Sequence, residues 1–163
     1  MTAADLDAVV ALSDAIHGPF SEQRETYAER LALYPDGCRI FERDGAVAGY
    51  LITHPWHRTP PKLDMPLGAL PRDAETYYLH DIALLPAARG CGAGRRATDL
   101  VRAMAWKAGC PDITLTAVNG ADRFWAAQGF GYDAEGGHPY GADTYLMRLP
   151  LTHSSAAAPS GAA

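Results

Sequence analysis

The densest chemistry in the chain lies in one short stretch, Arg89-Gly90-Cys91-Gly92-Ala93-Gly94-Arg95. Glycines lack a Cβ, so their amides can turn toward an approaching anion without a clash. A strand pattern at 77–85 precedes the stretch. Behind it, the apolar stripe Ala97, Leu100, Val101, Met104 and Ala108 predicts a helix over 93–108, ended by Gly109 and Pro111. Amides at the start of a helix meet the positive end of its dipole, which suits a phosphate. The charge pattern agrees. Five basic residues (Arg89, Arg95, Arg96, Arg102 and Lys107) and a single acid, Asp99, stand between 89 and 107, in a chain of net charge −5. A compact positive segment in an acidic protein points to a small anion, whereas nucleic acid needs a basic face.

Several other arrangements are weaker. Gly92-Ala93-Gly94-Arg95-Arg96-Ala97 fits the dinucleotide pattern G-x-G-x-x-A, which expects an acid at the end of the next strand. That strand ends in Asn119, with Asp112 at its beginning, so a dinucleotide-dependent oxidoreductase is disfavoured. A P-loop is excluded because no Gly-Lys-Ser/Thr follows the glycines. His54-Pro-Trp-His57 has metal-like spacing, but Pro55 prevents a helical face and no carboxylate or cysteine adjoins it, so no metal site is assigned. Cys91 lies at a helix start, where a thiol pKa can fall, yet it has no histidine partner in sequence and reads as a small residue in a tight turn.

The elements that must hold these residues follow from periodicity and turn chemistry. Thr2 and Asp5 form a capping pair for a helix over 3–16, closed near Gly18-Pro19, and Ser21 is placed to cap a second helix through Leu33. Strands over 38–42 and 46–53 flank the hairpin signal Arg43-Asp44-Gly45. Five prolines between Pro55 and Asp73 predict a long loop that covers a site or selects a substrate. Buried strands follow over 77–85 and 113–118, then a short helix capped by Asn119 through Gln128, and two last strands over 130–134 and 144–149 joined by a loop. On an unbroken strand, Tyr78, His80 and Ile82 face one way and Leu79 and Asp81 the other. The result is a mixed-sheet α/β fold in one domain over 1–151, with a disordered tail over 152–163. The chain has 163 residues, 48% hydrophobic and 20% charged, and carries no signal-peptide pattern and no apolar run long enough to span a membrane. Its three cysteines, Cys38, Cys91 and Cys110, read as free thiols in a reducing cytoplasm.

The stretch Ile82-Ala83-Leu84-Leu85-Pro86-Ala87-Ala88-Arg89-Gly90-Cys91-Gly92-Ala93-Gly94 resembles the acetyl-CoA signature of the GNAT N-acetyltransferases. Asn119-Gly-Ala-Asp-Arg-Phe-Trp125-Ala-Ala-Gln-Gly129-Phe130 is similar to that family's second block, and the two occur in the right order. The resemblance implies a mainly antiparallel central sheet flanked by helices and splayed between the strands at 77–85 and 112–118, with the family's first strand missing here. By position, it implies that the backbone of Ile82, Ala83 and Leu84 pairs with the pantetheine arm and that an amide near Leu84 faces the thioester oxygen. The stretch Arg89, Gly90, Cys91, Gly92, Ala93, Gly94, Arg95 would hold the diphosphate, while Asn119 and Trp125 line the slot.

The implied reaction is direct attack of a primary amine on acetyl-CoA in a ternary complex. The amine must first lose a proton. His80 matches a position where some members relay that proton. Tyr78 stands where others carry a glutamate base and would instead shape the pocket. Trp125 replaces the family's usual tyrosine acid, leaving Tyr132, Tyr140, Tyr145 or water to protonate the thiolate. The acceptor is a small-molecule or peptide amine, without nucleic acid or membrane, and a homodimer is compatible with the resemblance. The alternative reading is a module that binds acetyl-CoA without turning it over.

Overall fold

A computed structural model describes residues 1–151; the expected tail at 152–163 lies outside the described residues. The Thr2 amide and hydroxyl both donate to Asp5, at 2.6 and 2.9 Å. This fixes a short 3-10 turn that leads into α1 (Leu6–His17). The second helix, α2 (Arg24–Leu33), starts later than expected. Ser21 does not cap it, because its hydroxyl donates instead to Asp14 of α1, 2.6 Å away. Strands β1 (Cys38–Arg43) and β2 (Ala46–Trp56) form a hairpin whose two-residue loop, Asp44-Gly45, has both φ angles positive.

The second strand outruns the expectation by continuing through Pro55 and Trp56, opposite Tyr77 and Thr76. Proline is tolerated there because β1 begins opposite Ile52 and leaves that end of β2 without a neighbour on its other side. After β3 (Thr76–Leu84) come α3 (Ala93–Lys107), β4 (Asp112–Ala117), α4 (Asp122–Ala127), the two-residue β5 (Gly131–Tyr132) and β6 (Tyr145–Pro150). The sheet order is β1-β2-β3-β4-β6-β5. Every neighbouring pair is antiparallel except β3 with β4. Among the described residues no strand precedes α1, in line with the missing first strand.

Each face of the sheet carries its own core. On one, Tyr77, Leu79, Ile113, Leu115 and Met147 pack with Val101 and Ala105 of α3 and with Trp125 and Phe130. On the other, Tyr50, Ile52 and Ala83 pack under Leu6, Val9 and Leu12 of α1 and Tyr27 of α2. The buried side of α3 is Ala93, Thr98, Val101 and Ala105, so the expected stripe is rotated and Leu100 is exposed. Asp112 is buried and paired with Arg148 (2.6 Å) and Arg58 (3.1 Å), a structural anchor at the foot of β4. Among the described residues no helix is long and apolar enough to cross a membrane.

Candidate active site

Two irregularities in β3 build the site. The first is a bulge. Ile52 pairs with Asp81 and Thr53 with Leu79, so His80 is left over between them. Strict alternation is therefore broken. Asp81 and His80 both lie on the α1/α2 face, where they meet His17 and Glu22, while Ile82 packs with Leu79 on the opposite face. The second irregularity is an early parting from β4. The parallel ladder covers only Tyr77↔Ile113, Tyr78↔Thr114 and Leu79↔Leu115, although β3 runs on to Leu84 beside β2. From His80 onward the β4-facing edge of β3 has no strand neighbour, and the sheet is splayed as expected.

His80 is nearly sealed. Its Nε2 lies 2.7 Å from Glu22 Oε2, and both side chains are 3% exposed. Glu22 Oε1 accepts the Asp64 amide at 2.8 Å, which ties the proline-rich loop to the same carboxylate. Beneath them Arg30 is fully buried. It pairs with Glu29, donates to the Met65 carbonyl (2.8 Å) and stands 3.9 Å from Glu22. Burying these charges is tolerable because each finds opposite charge and donors. The other ring nitrogen of His80, Nδ1, is buried with no hydrogen-bond partner among the described residues, as is Nε2 of His54. The two imidazoles are neighbours, with centroids 5.4 Å apart. Burial first and the adjacent His80 second hold the His54 pKa well below its ordinary value, so His54 stays neutral.

Tyr78 completes this chamber. Its hydroxyl contacts Thr116 (2.9 Å) and Tyr140 (3.2 Å), and Tyr140 donates to the Pro61 carbonyl (2.9 Å). Burial drives the Tyr78 phenol well above its usual pKa, which excludes it as a base.

The neighbouring residue makes a second histidine–carboxylate pair. Asp81 Oδ1 lies 2.8 Å from His17 Nε2, with side chains 11% and 14% exposed. The Tyr50 and Tyr27 hydroxyls donate to Asp81 Oδ2 at 2.6 and 3.2 Å. Burial opposes the Asp81 charge, but His17 and the Tyr50 hydroxyl outweigh it and hold the pKa below the usual carboxylate range. Burial likewise opposes charge on His17. The Asp81 charge and hydrogen bond, with help from the Ile82 backbone, win and raise its pKa.

Beyond β3, Gly90 and Gly92 take φ of +77° and +81°, a region that β-carbons disfavour. Gly92 caps α3, so the amides of Ala93, Gly94 and Arg95 begin a helix without intrahelical partners. Gly94 is packed against Phe124, whose ring would sit 3.0 Å from any added Cβ. Arg89 donates back to the Leu84 carbonyl (3.3 Å), and the Cys91 thiol to Ala88 (3.0 Å). These amides lie just beyond the end of β3, with Arg95 and Arg96 exposed beside them.

The sequence profile of the acetyltransferase (GNAT) family matches residues 8–130. The chain belongs to this family. Among curated proteins no relative matches. Solved structures share the GNAT fold. Ard1 from Thermoplasma volcanium superposes with a TM-score of 0.73 at 16% identity, covering 94% of this chain and 95% of that one. The ribosomal-protein-S18-alanine N-acetyltransferase from Escherichia coli gives 0.65 at 17%, covering 97% and 95%. Rv2747 from Mycobacterium tuberculosis, solved with CoA, gives 0.67 at 16%, covering 93% and 96%.

In this GNAT chain the residues singled out by sequence fall into two groups. Ile82, Ala83, Leu84 and the turn from Arg89 to Arg95 line one continuous path from the splay to the start of α3. His80 and Tyr78 lie on the α1/α2 side of the same strand. Asn119 is no helix cap: with φ of +53° it turns the chain before α4, and its side-chain amide donates to the His17 carbonyl at 3.3 Å. Trp125 is 5% exposed and belongs to the core with Phe130. Tyr132 is exposed and donates to Asp122 (2.6 Å), away from the chamber that holds Tyr140. His57 does not join His54, being exposed opposite Glu75. Sequence reasoning missed Glu22 and His17. Neither carries a local signal: Glu22 follows an apparent cap residue, and His17 looks like a base ending a helix.

Proposed function

We propose that this GNAT chain, folded as one domain over 1–151, is an N-acetyltransferase of the cytoplasm. It moves the acetyl group of acetyl-CoA directly to a primary amine in a ternary complex. The observation that carries the reading is the slot: β3 keeps β2 to Leu84, loses β4 after Leu79, and leads into a glycine turn that opens α3. The backbone along Ile82, Ala83 and Leu84, left without a strand neighbour on its β4 side, suits the amides of a pantetheine arm, which replaces the absent strand. The amides of Gly90, Cys91, Gly92, Ala93, Gly94 and Arg95 suit a diphosphate, with Arg89 and Arg95 supplying charge. Asn119 stands where the strands part, Trp125 backs the wall, and an amide near Leu84 polarises the thioester carbonyl.

An alkylammonium is charged at neutral pH and must lose a proton before it attacks. His80 takes that proton. Glu22 engages Nε2 and fixes the ring, leaving the unpartnered Nδ1 to accept, directly or through water. Tyr78 and Tyr140 shape the acceptor end, and the loops at 57–75 and 133–144 that reach it select a small-molecule or peptide amine. Two measurements test the reading. Calorimetry should detect acetyl-CoA binding, and an amine panel should release free CoA, with His80→Ala lowering kcat about 10²–10⁴-fold. Binding without release for any amine would leave a non-catalytic CoA-binding module, and absence of binding would overturn the proposal.

A further inference from the structure

We infer that His17, positioned by Asp81, is the proton donor to the departing CoA thiolate. The inference rests on the acetyl-transfer reading above and fills its one vacant role. His17 ends α1, and its ring meets Asp81 at 2.8 Å on the β3 wall of the slot. Its backbone carbonyl accepts Asn119 Nδ2 at 3.3 Å from the segment after β4. The end of α1 thus bridges both walls just beyond Leu79, the last residue of β3 paired with β4. A thioester laid along Ile82–Leu84 with its arm near Asn119 brings its sulfur to this bridge.

The competing donors are engaged elsewhere. Trp125 is buried in the core and offers only an indole N–H. Tyr132 donates to Asp122, Tyr140 donates to Pro61, and Tyr145 packs between the rings of Tyr132 and His138. The groups facing His17 favour its cationic form. Asp81 comes from β3 and Glu22 from the segment before α2. The Tyr50 hydroxyl of β2 helps to keep Asp81 ionised, and the Tyr27 hydroxyl of α2 also donates to it. Nε2 lies 2.8 Å from Asp81 Oδ1, and the ring also bonds the Ile82 backbone, which seats it on the wall that the thioester follows.

The step balances. The ammonium gives its first proton to His80, which passes it to solvent; the neutral amine then forms the C–N bond and its surplus proton passes to the freed His80. The C–S bond breaks with its electron pair on sulfur. The His17 imidazolium gives its proton to that sulfur and is recharged from solvent. The products are the acetylated amine and CoA thiol.

The test uses wild type, His17→Gln, His17→Lys and Asp81→Asn with acetyl-CoA and the best amine of the panel. His17→Gln should lower kcat about 10²–10³-fold, with the CoA dissociation constant within about threefold of wild type, and should abolish the alkaline limb of the pH–kcat profile. Asp81→Asn removes the charge that favours the imidazolium and should move that limb to lower pH. His17→Lys keeps a cation with a higher pKa and should move it upward, a shift that a merely structural role would not produce. Unchanged kcat and an unchanged limb in His17→Gln, with wild-type turnover intact, would overturn this inference alone. A wild type that binds CoA but never releases it from acetyl-CoA would overturn the transfer reading and this inference with it.

Discussion

Two histidine–carboxylate pairs sit side by side on one bulged strand, yet they are built in opposite senses. In the first, β3 supplies the imidazole (His80) and a loop before α2 supplies the carboxylate (Glu22), both almost sealed from water. In the second, β3 supplies the carboxylate (Asp81) and the end of α1 supplies the imidazole (His17), several times more exposed. Asp81 is saturated by two tyrosine hydroxyls and serves as a fixed anion; Glu22 shares its charge with Arg30 and the Asp64 amide. The difference teaches how one strand can present an imidazole and a carboxylate from the same face. A bulge puts successive residues on one face, and the element that meets each decides which partner is anchored.

The strongest way to break this contrast is to remove one anchor at a time. Glu22→Gln should reduce kcat about 10²-fold or more while leaving CoA affinity intact, since it unfixes the His80 ring without touching the slot. A rate within threefold of wild type would show that the His80 pair is only structural. Next in size, Gly92→Ala forces a β-carbon into φ +81° at the helix start. Strain of about 1–2 kcal/mol in the turn should weaken CoA about tenfold in calorimetry and leave both histidine pairs untouched. Unchanged affinity would detach the glycine turn from binding.

A subtler test uses the opposite pKa shifts of His17 and His54. Folding raises the His17 value, so its contribution to stability is present below the ordinary 6.5 and fades as pH rises through the folded value. Folding lowers the His54 value, so the unfolded chain binds a proton that the folded one refuses, and stability is lost as pH falls below 6.5. Thermal melts from pH 5 to 9 should therefore show His17→Gln and His54→Gln changing the slope in opposite directions. Matching slopes would mean that the two rings share one environment. The smallest effect is expected from Tyr140→Phe, which removes the donor to Pro61 and costs about 1 kcal/mol, a melting shift of about 2–4 °C. Its acceptor KM should rise while the CoA dissociation constant holds; the reverse split would move Tyr140 to the cofactor side.

The glycine turn and the helix behind it were legible because their determinants are local: positive-φ glycines, a cap, and a stripe of apolar residues. The stripe was nonetheless read on the wrong edge, with Leu100 facing water. Which edge is buried depends on the sheet that α3 meets. Strand β2 was cut short at Pro55 for a similar reason, since proline forbids a central strand but not a segment whose outer side β1 never reaches. His80 and Tyr78 do share one side of β3, but their facing relative to Asp81 and Ile82 was not legible, because a bulge is a property of two strands in register.

What the chain's own order of residues made legible was the glycine turn and the sequence of helices and strands, all of which arise from contacts within a few residues. Folding alone decided which groups become partners. Glu22 reaches His80 across 58 positions, and His17 meets Asp81 and Asn119 from the far end of α1. Such pairings depend on sheet register, the point at which β4 leaves β3, and the exclusion of water that makes each lone carboxylate or imidazole seek a counterpart.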